Sequence, residues 1–176
     1  GQADLNWLSS VSKKYGVKEP ILAKQLSELK RRIDIIPPSL ALAQAAEESG
    51  WGTSRFALDG NAVFGQWTFT KGKGIVPANR ESGKNHEVKA FTRLHKSITS
   101  YVHNLNTHWA YKEFRVSRAL TRARKDRLRG KDLISSLKKY SQRGEDYVRT
   151  IKTIIRVNGF SEFDGARLRK RVGGET

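Results

Sequence analysis

Two carboxylates stand side by side in "AAEESGWGTSRF", residues 45–56, at the end of an alanine-rich stretch and directly before Gly-Trp-Gly. Acids are scarce in this chain, which carries 34 Lys and Arg against 17 Asp and Glu. Neighbouring helical residues point about 100° apart, so Glu47 and Glu48 cannot both face one cleft. Glu48 shares its side with Ala41, Gln44 and Ala45, and Glu47 with Leu40, Ala43 and Gln44, so periodicity alone does not choose between them. A carboxyl in the last helical turn meets the negative end of the helix dipole, and a neighbouring aromatic such as Trp51 adds desolvation, the larger effect. Both keep the proton on. A carboxylic acid still protonated near neutrality is what donation to a leaving oxygen requires, and a cleft with aromatic walls is what holds a sugar ring. A surface glutamate pair beside a core tryptophan satisfies the same stretch.

These residues need a scaffold, and the apolar spacing supplies one. Leu5, Leu8, Val11 and Tyr15 recur at helical intervals with Gly16 as a stop. A second helix is expected from Pro20 through Ile21, Leu22, Leu26 and Leu29 to about Arg32. After Pro37-Pro38, Ser39 is placed to cap a third, "SLALAQAAEES", which Gly50 closes. Residues 60–93 read differently, with Gly, Asn, Pro and Lys punctuating "VFGQWTF" and the alternating "VKAFTR". They predict a lobe of one or two hairpins with a surface loop from Lys71 to His86. Helical patterning resumes near Ser97 and runs through "FRVSRALTRARKDRL", "KDLISSLKKYS" and "EDYVRTIKTIIRVNGF", where Asn158-Gly159 ends it. The fold class is therefore α+β and mostly α, one domain over residues 1–164 with a β lobe at about 60–93, followed by a basic tail, 165–176, expected to be loose.

The composition sets outer limits. A chain of 176 residues can bury a core without staples, and no run approaches the ~18–20 apolar residues that a membrane helix needs. Cysteine is absent, which removes disulfides and thiolate chemistry; methionine is absent even at position 1, so missing targeting signals say nothing about compartment. The net charge of +17 predicts attraction to a polyanion: nucleic acid, anionic lipid or anionic cell wall.

Taken together, "AQAAEESGWGTSRFA", "FGQW" and "FTRLHKSITSYVHNLNTHWAYKEFR" resemble the glucosaminidase family of peptidoglycan hydrolases, glycoside hydrolase family seventy-three, and in particular its Bax-like bacterial branch, from about residue 4 to residue 160. The resemblance implies a lysozyme-like helical body with a small β-hairpin lobe, a substrate cleft between them, and hydrolysis of the β-1,4 bond after N-acetylglucosamine. The family's acid immediately precedes Ser-Gly-Trp-Gly, which makes Glu48 the acid and Glu47 a bystander. The family's Asn-Leu-Phe-Gly is Ala62-Val63-Phe64-Gly65 here, so Phe64 and Gly65 match while Ala62 replaces the asparagine, with Asn61 one place earlier as a substitute. Gln66 and Trp67 follow as in the Bax-like branch and, with Phe64, Gly65, Trp51 and Asn61, are expected to bind the sugar. "WAYKEFR" gives Tyr111 a role in orienting the acetamido group or the attacking water. In "VPANRESGKNHEVKAF" the family's second carboxylate corresponds to Glu81, with Glu87 behind it. A distant Glu81 would favour inversion, and the lack of any partner would favour assistance by the substrate's own acetamido group.

Lys and Arg crowd residues 115–143 and 167–171, which suits adsorption to anionic envelope polymers as well as ordinary solvated helix faces. A nucleic-acid-binding module is the non-enzymatic rival, but no recognisable motif supports it, and the aromatics gather around the glutamates. Other rivals are a lytic transglycosylase or muramidase on the same polymer, and a wall-binding protein that has lost activity. His86, His95, His103 and His108 lack zinc-site spacing, and "GKG" at 72–74 is no phosphate loop, so no metal or cofactor is implied. The implied location is the bacterial cell envelope, periplasmic or secreted.

Overall fold

A computed structural model describes residues 1–78, 80 and 83–167. Helices dominate, with one small sheet. In chain order these are α1 (Gln2–Tyr15), α2 (Leu22–Arg32), α3 (Pro38–Ser49), the short α4 (Arg55–Gly60), strands β1 (Trp67–Thr68), β2 (Gly74–Ile75) and β3 (Glu87–Lys89), then α5 (Leu94–Thr107), α6 (Lys112–Ala123), α7 (Gly130–Leu133) and α8 (Glu145–Val157). Three 3-10 segments, Trp109–Tyr111, Ile134–Tyr140 and Phe160–Gly165, join or follow the later helices.

Helix α3 is the axis of the body. Its residues are small or apolar on several faces, and Leu40, Ala43 and Gln44 have no exposed surface at all. Around it pack Tyr101 and Leu105 of α5, Phe114 of α6, Ile134 and Leu137 of the following 3-10 segment, and Tyr147, Val148, Ile151 and Ile155 of α8. The α8 set falls at 3.6-residue spacing, as an amphipathic helix requires. A satellite core of Leu8, Val17 and Leu29 holds α1 against α2.

Ser39 does not cap α3. The helix begins one residue earlier, at Pro38, and Ser39 lies in its first turn. The backbone N–H of Ser39 donates to Asp164 at 2.9 Å, its hydroxyl donates to the other carboxylate oxygen at 2.8 Å, and the Gly130 N–H donates to that oxygen at 3.0 Å. A carboxylate 125 residues downstream therefore satisfies the free helix N-terminus, a contact with no local signature. Gly130 is required here for space, since a Cβ on it would lie 2.3 Å from Ser39 Oγ. Helix α2 also starts at Leu22 rather than at Pro20.

The lobe is a three-stranded antiparallel sheet in the order β1-β3-β2, with Trp67 opposite Val88 and Gly74 opposite Lys89. Glu87 on the central strand is buried and accepts the N–H groups of Gly72 at 3.1 Å and Gly74 at 2.9 Å. That bond set holds the β1–β2 turn and removes Glu87 from contention as a catalytic base. Glu81 and residues 168–171 of the basic tail lie outside the described residues.

Candidate active site

The last turn of α3 carries the glutamate pair to the edge of the body, and the pair divides as a helix demands. Glu47 turns outward and forms an ion pair with Arg143, which also donates to Thr150. Glu48 turns inward toward α8. Gly50 closes the helix in the left-handed region at φ 56°, and the Ser49 hydroxyl donates to Ala45 O while accepting the Gly52 N–H, so the turn after the acid is pinned.

Burial raises the pKa of the Glu48 carboxyl; the neighbouring Tyr147 hydroxyl and the Arg143 charge oppose that rise, and the Glu47 charge adds to it. Desolvation wins, as it does for a carboxyl walled by rings. The walls are four tyrosines. Tyr101 stands on α5, Tyr111 and Tyr140 end their 3-10 segments, and Tyr147 stands on α8. Tyr140 and Tyr147 stack with centroids 5.7 Å apart, Tyr111 lies 5.9 Å from Tyr140, and Tyr140 meets Tyr101 edge-on at 6.5 Å. Burial pushes the hydroxyl pKa of all four upward, and the Glu48 charge adds to the rise in each case. They stay neutral hydrogen-bonding groups around one acid.

The 60–67 segment approaches this acid from the lobe. Gly65 has φ 58°, and a Cβ there would come 3.0 Å from Glu48 Oε2, so only glycine lets the backbone pass so close to the carboxyl. Phe64 is buried, stacked on Tyr101 at 3.9 Å, and its carbonyl accepts the Tyr140 hydroxyl at 3.1 Å. It therefore forms a floor beneath the site, not an open wall. Gln66 fixes its backbone by accepting the Lys89 N–H, and its Oε1 is buried without a partner among the described residues. Trp67 is 58% exposed and stacks on His86 at 4.4 Å, and Trp51, directly past the acid's helix, is 59% exposed. Both rings leave a large apolar surface open to water near the end of α3 and the Gly65 turn. Asn61 is spent elsewhere: it caps α4 at φ 51° and its amide donates to Phe91 O at 3.0 Å. Ala62 is buried at 2%.

Tyr111, named from the sequence, lies among the tyrosines around Glu48; it is nearly buried, and Asn104 neighbours its hydroxyl. Tyr101, Tyr140, Tyr147 and Arg143 were not anticipated. Their only sequence signal is a tyrosine or arginine at an unremarkable helical position, and the contacts that matter span 57 to 103 residues. Cavity size does not mark the site either. A hollow of about 710 Å³ between α1 and α2 is lined by Leu5, Leu8, Leu22 and Gln25 with Glu19 at its edge, and Glu48 and the tyrosines around it do not line it. Among the described residues no His, Cys, Asp and Glu cluster could hold a metal ion.

A half-buried carboxyl whose pKa burial raises, at a helix end and ringed by neutral hydroxyls, has the chemistry of a glycoside hydrolase's acid. The chain belongs to the glucosaminidase family, described as mannosyl-glycoprotein endo-beta-N-acetylglucosaminidase, whose model matches residues 23–159. It is similar to Protein bax of Escherichia coli strain K12, with 37% identity over 142 residues that cover 80% of this chain and 50% of that protein. The chain thus spans about half the length of that curated relative. No solved structure matches it significantly.

Proposed function

We propose that this protein cleaves the glycan strand of peptidoglycan at the β-1,4 bond after N-acetylglucosamine, with Glu48 as the general acid. The observation that carries the reading is the division of the glutamate pair: Glu47 is ion-paired to Arg143, while Glu48 turns into the tyrosine-walled interior, where burial raises its pKa. Glu48 gives its proton to the bridging oxygen as the bond to the sugar's anomeric carbon breaks, and the leaving sugar departs as a neutral alcohol. Trp51 and Trp67 present exposed ring surface to the sugars. Tyr111 orients the acetamido group or the incoming water.

Among the described residues Glu47 is the other carboxylate whose charge reaches Glu48, and Arg143 already neutralises it. Activation of water then falls to Glu81 or to the substrate's own acetamido group. Glu81→Gln separates these two: near-complete loss assigns the base to Glu81, and retained activity assigns it to the substrate. The lone acid also suits a lytic transglycosylase, which forms an anhydro sugar without water.

Digestion of purified peptidoglycan with mass spectrometry of the products tests the reading. Reducing N-acetylglucosamine ends are expected; reducing N-acetylmuramic ends or anhydro ends would reassign the reaction. Glu48→Gln should lower the rate by about 10²–10⁴-fold, the range for loss of a positioned acid, with Glu47→Gln close to wild type. Equal rates for wild type and Glu48→Gln would remove Glu48 from the mechanism. Such a substrate places the protein in the bacterial envelope, where a basic surface suits anionic polymers.

A further inference from the structure

Behind Glu48, on the side away from solvent, lies a chain of buried polar groups that the reaction as described does not use. Gln44, one helical turn before the acid on α3, is fully buried; Tyr101 is likewise buried, and Tyr147 is 1% exposed. The Tyr101 hydroxyl donates to Gln44 Oε1 at 2.7 Å, and Gln44 Nε2 donates to the Tyr147 hydroxyl at 2.9 Å. A tyrosine hydroxyl has one proton, so once Tyr147 accepts from Gln44, that proton is free to turn to Glu48, which lies one helical turn past Gln44 on the same face of α3 and near enough to the hydroxyl to feel it.

The direction of this chain follows from its far end. With the amide reversed, Gln44 Nε2 would face Tyr101 and Oε1 would face Tyr147. Tyr101 would then hold a buried proton with no acceptor, since Gln44 is its hydrogen-bond partner, and Tyr147 would turn its proton to Gln44 and away from the acid. Both changes leave buried groups unsatisfied, which disfavours the reversed form. We propose that Gln44 is a positioning residue that acts through Tyr147: clamped by Tyr101, its amide fixes Tyr147 as a hydrogen-bond donor to Glu48 and so sets the orientation and proton affinity of the acid. This rests on the reading of Glu48 as the acid. The same bond lowers the proton affinity that burial raises. The other groups facing Glu48 are Glu47 on α3, Arg143 before α8, and Tyr101, Tyr111 and Tyr140 from three further segments.

The test is a direct titration of Glu48 by NMR on protein with ¹³C-labelled glutamate side chains, with Glu48→Gln identifying the signal and no substrate present. Tyr147→Phe deletes one oxygen and should raise the Glu48 midpoint by about one pH unit, the scale of a hydrogen bond to a charged group. Gln44→Leu should raise it by less in the wild-type background and not at all once Tyr147→Phe is present, because Gln44 reaches the acid only through Tyr147. Should Gln44→Leu fail to fold, Tyr101→Phe, another one-oxygen deletion, takes its place in the same cycle. An unmoved midpoint in Tyr147→Phe, or equal Gln44 shifts in both backgrounds, overturns the relay. The alkaline limb of the rate profile should move with the midpoint, whereas a merely structural Gln44 would lower Tm and leave the limb alone. Failure of the two readings is distinguishable. A wild type inactive on peptidoglycan sinks the proposed function while the titration stays readable, and an active wild type with an unmoved midpoint sinks the relay only.

Discussion

At the scale of single residues, the same burial that suits Glu48 to proton donation makes it a weak point in the fold. Its folded pKa lies above its unfolded value, so the contribution of the neutral carboxyl is fully present below the unfolded value and is lost as pH rises through the folded one. Glu48→Gln is therefore expected to be more stable than wild type by about 1 kcal/mol near neutrality and above, the size common for relieving a functional site. The advantage should vanish in acid. Thermal melts at about pH 4 and about pH 8 read the difference directly, and a variant that melts below wild type at the higher pH would contradict it. Gly65 makes the complementary case, because its φ of 58° and the 3.0 Å approach to Glu48 Oε2 leave no room for a methyl group. Gly65→Ala should cost about 1–2 kcal/mol in backbone strain and lower the rate by about 10²-fold through displacement of the acid. Denaturant melts and digestion rates on one preparation separate the two effects.

At the scale of elements, the link between α2 and α3 is tied down by an arginine from α6. Arg118 has no exposed surface and donates to the carbonyls of Arg31, Asp34 and Ile35, at 2.9, 3.2 and 3.0 Å. Burial lowers its pKa to about 10, with the Asp34 charge opposing the drop, so it remains cationic. Arg118→Met fills the space but strands the Arg31 and Ile35 carbonyls, while Asp34 keeps Asn106 on its carbonyl and Arg122 on its carboxylate; a loss of about 2–4 kcal/mol in urea unfolding is expected, at about 1–3 kcal/mol for each stranded acceptor. A loss below about 1 kcal/mol would mean that water replaces the guanidinium. This tie also shows what the sequence could and could not reveal. The periodicities of α1, α3 and α8, and the stop at Gly50, are local properties of the chain and were legible as such. Arg118 looked like one more charge on a basic helix, Ser39 looked like a cap, and Glu87 looked like a spare acid, because the partners that give each its role sit on other elements. The candidate site divides in the same way. Glu48, Gly65, Trp67 and Tyr111 stood out in short motifs, whereas Tyr101, Tyr140 and Tyr147 join them only when α5, the 134–140 segment and α8 close around α3.

At the scale of the whole molecule, a net charge of +17 concentrates the protein at any anionic surface and does so independently of the acid. Arg122, Arg124, Lys125, Arg127 and Arg129 are all exposed on the segment that ends α6 and leads to α7, with Asp126 as the acid among them. Attraction between such a face and a wall polymer acts through solvent, so its range shrinks from about 14 Å to about 4 Å as ionic strength rises from about 0.05 M to about 0.5 M. Sedimentation with insoluble peptidoglycan that carries its anionic polymers should therefore show strong binding at the lower salt and most of it lost at the higher. Glu48→Gln should bind as wild type does, since the charge and not the chemistry holds the protein there. Replacement of Lys125, Arg129 and Lys131 by Gln should weaken binding while leaving the rate on a short soluble glycan unchanged, because none of the three touches the Glu48 surroundings. Binding that persists undiminished at about 0.5 M salt would place the affinity in short-range contacts such as those of the exposed Trp51 and Trp67 rings, and the triple variant would then bind as tightly as wild type.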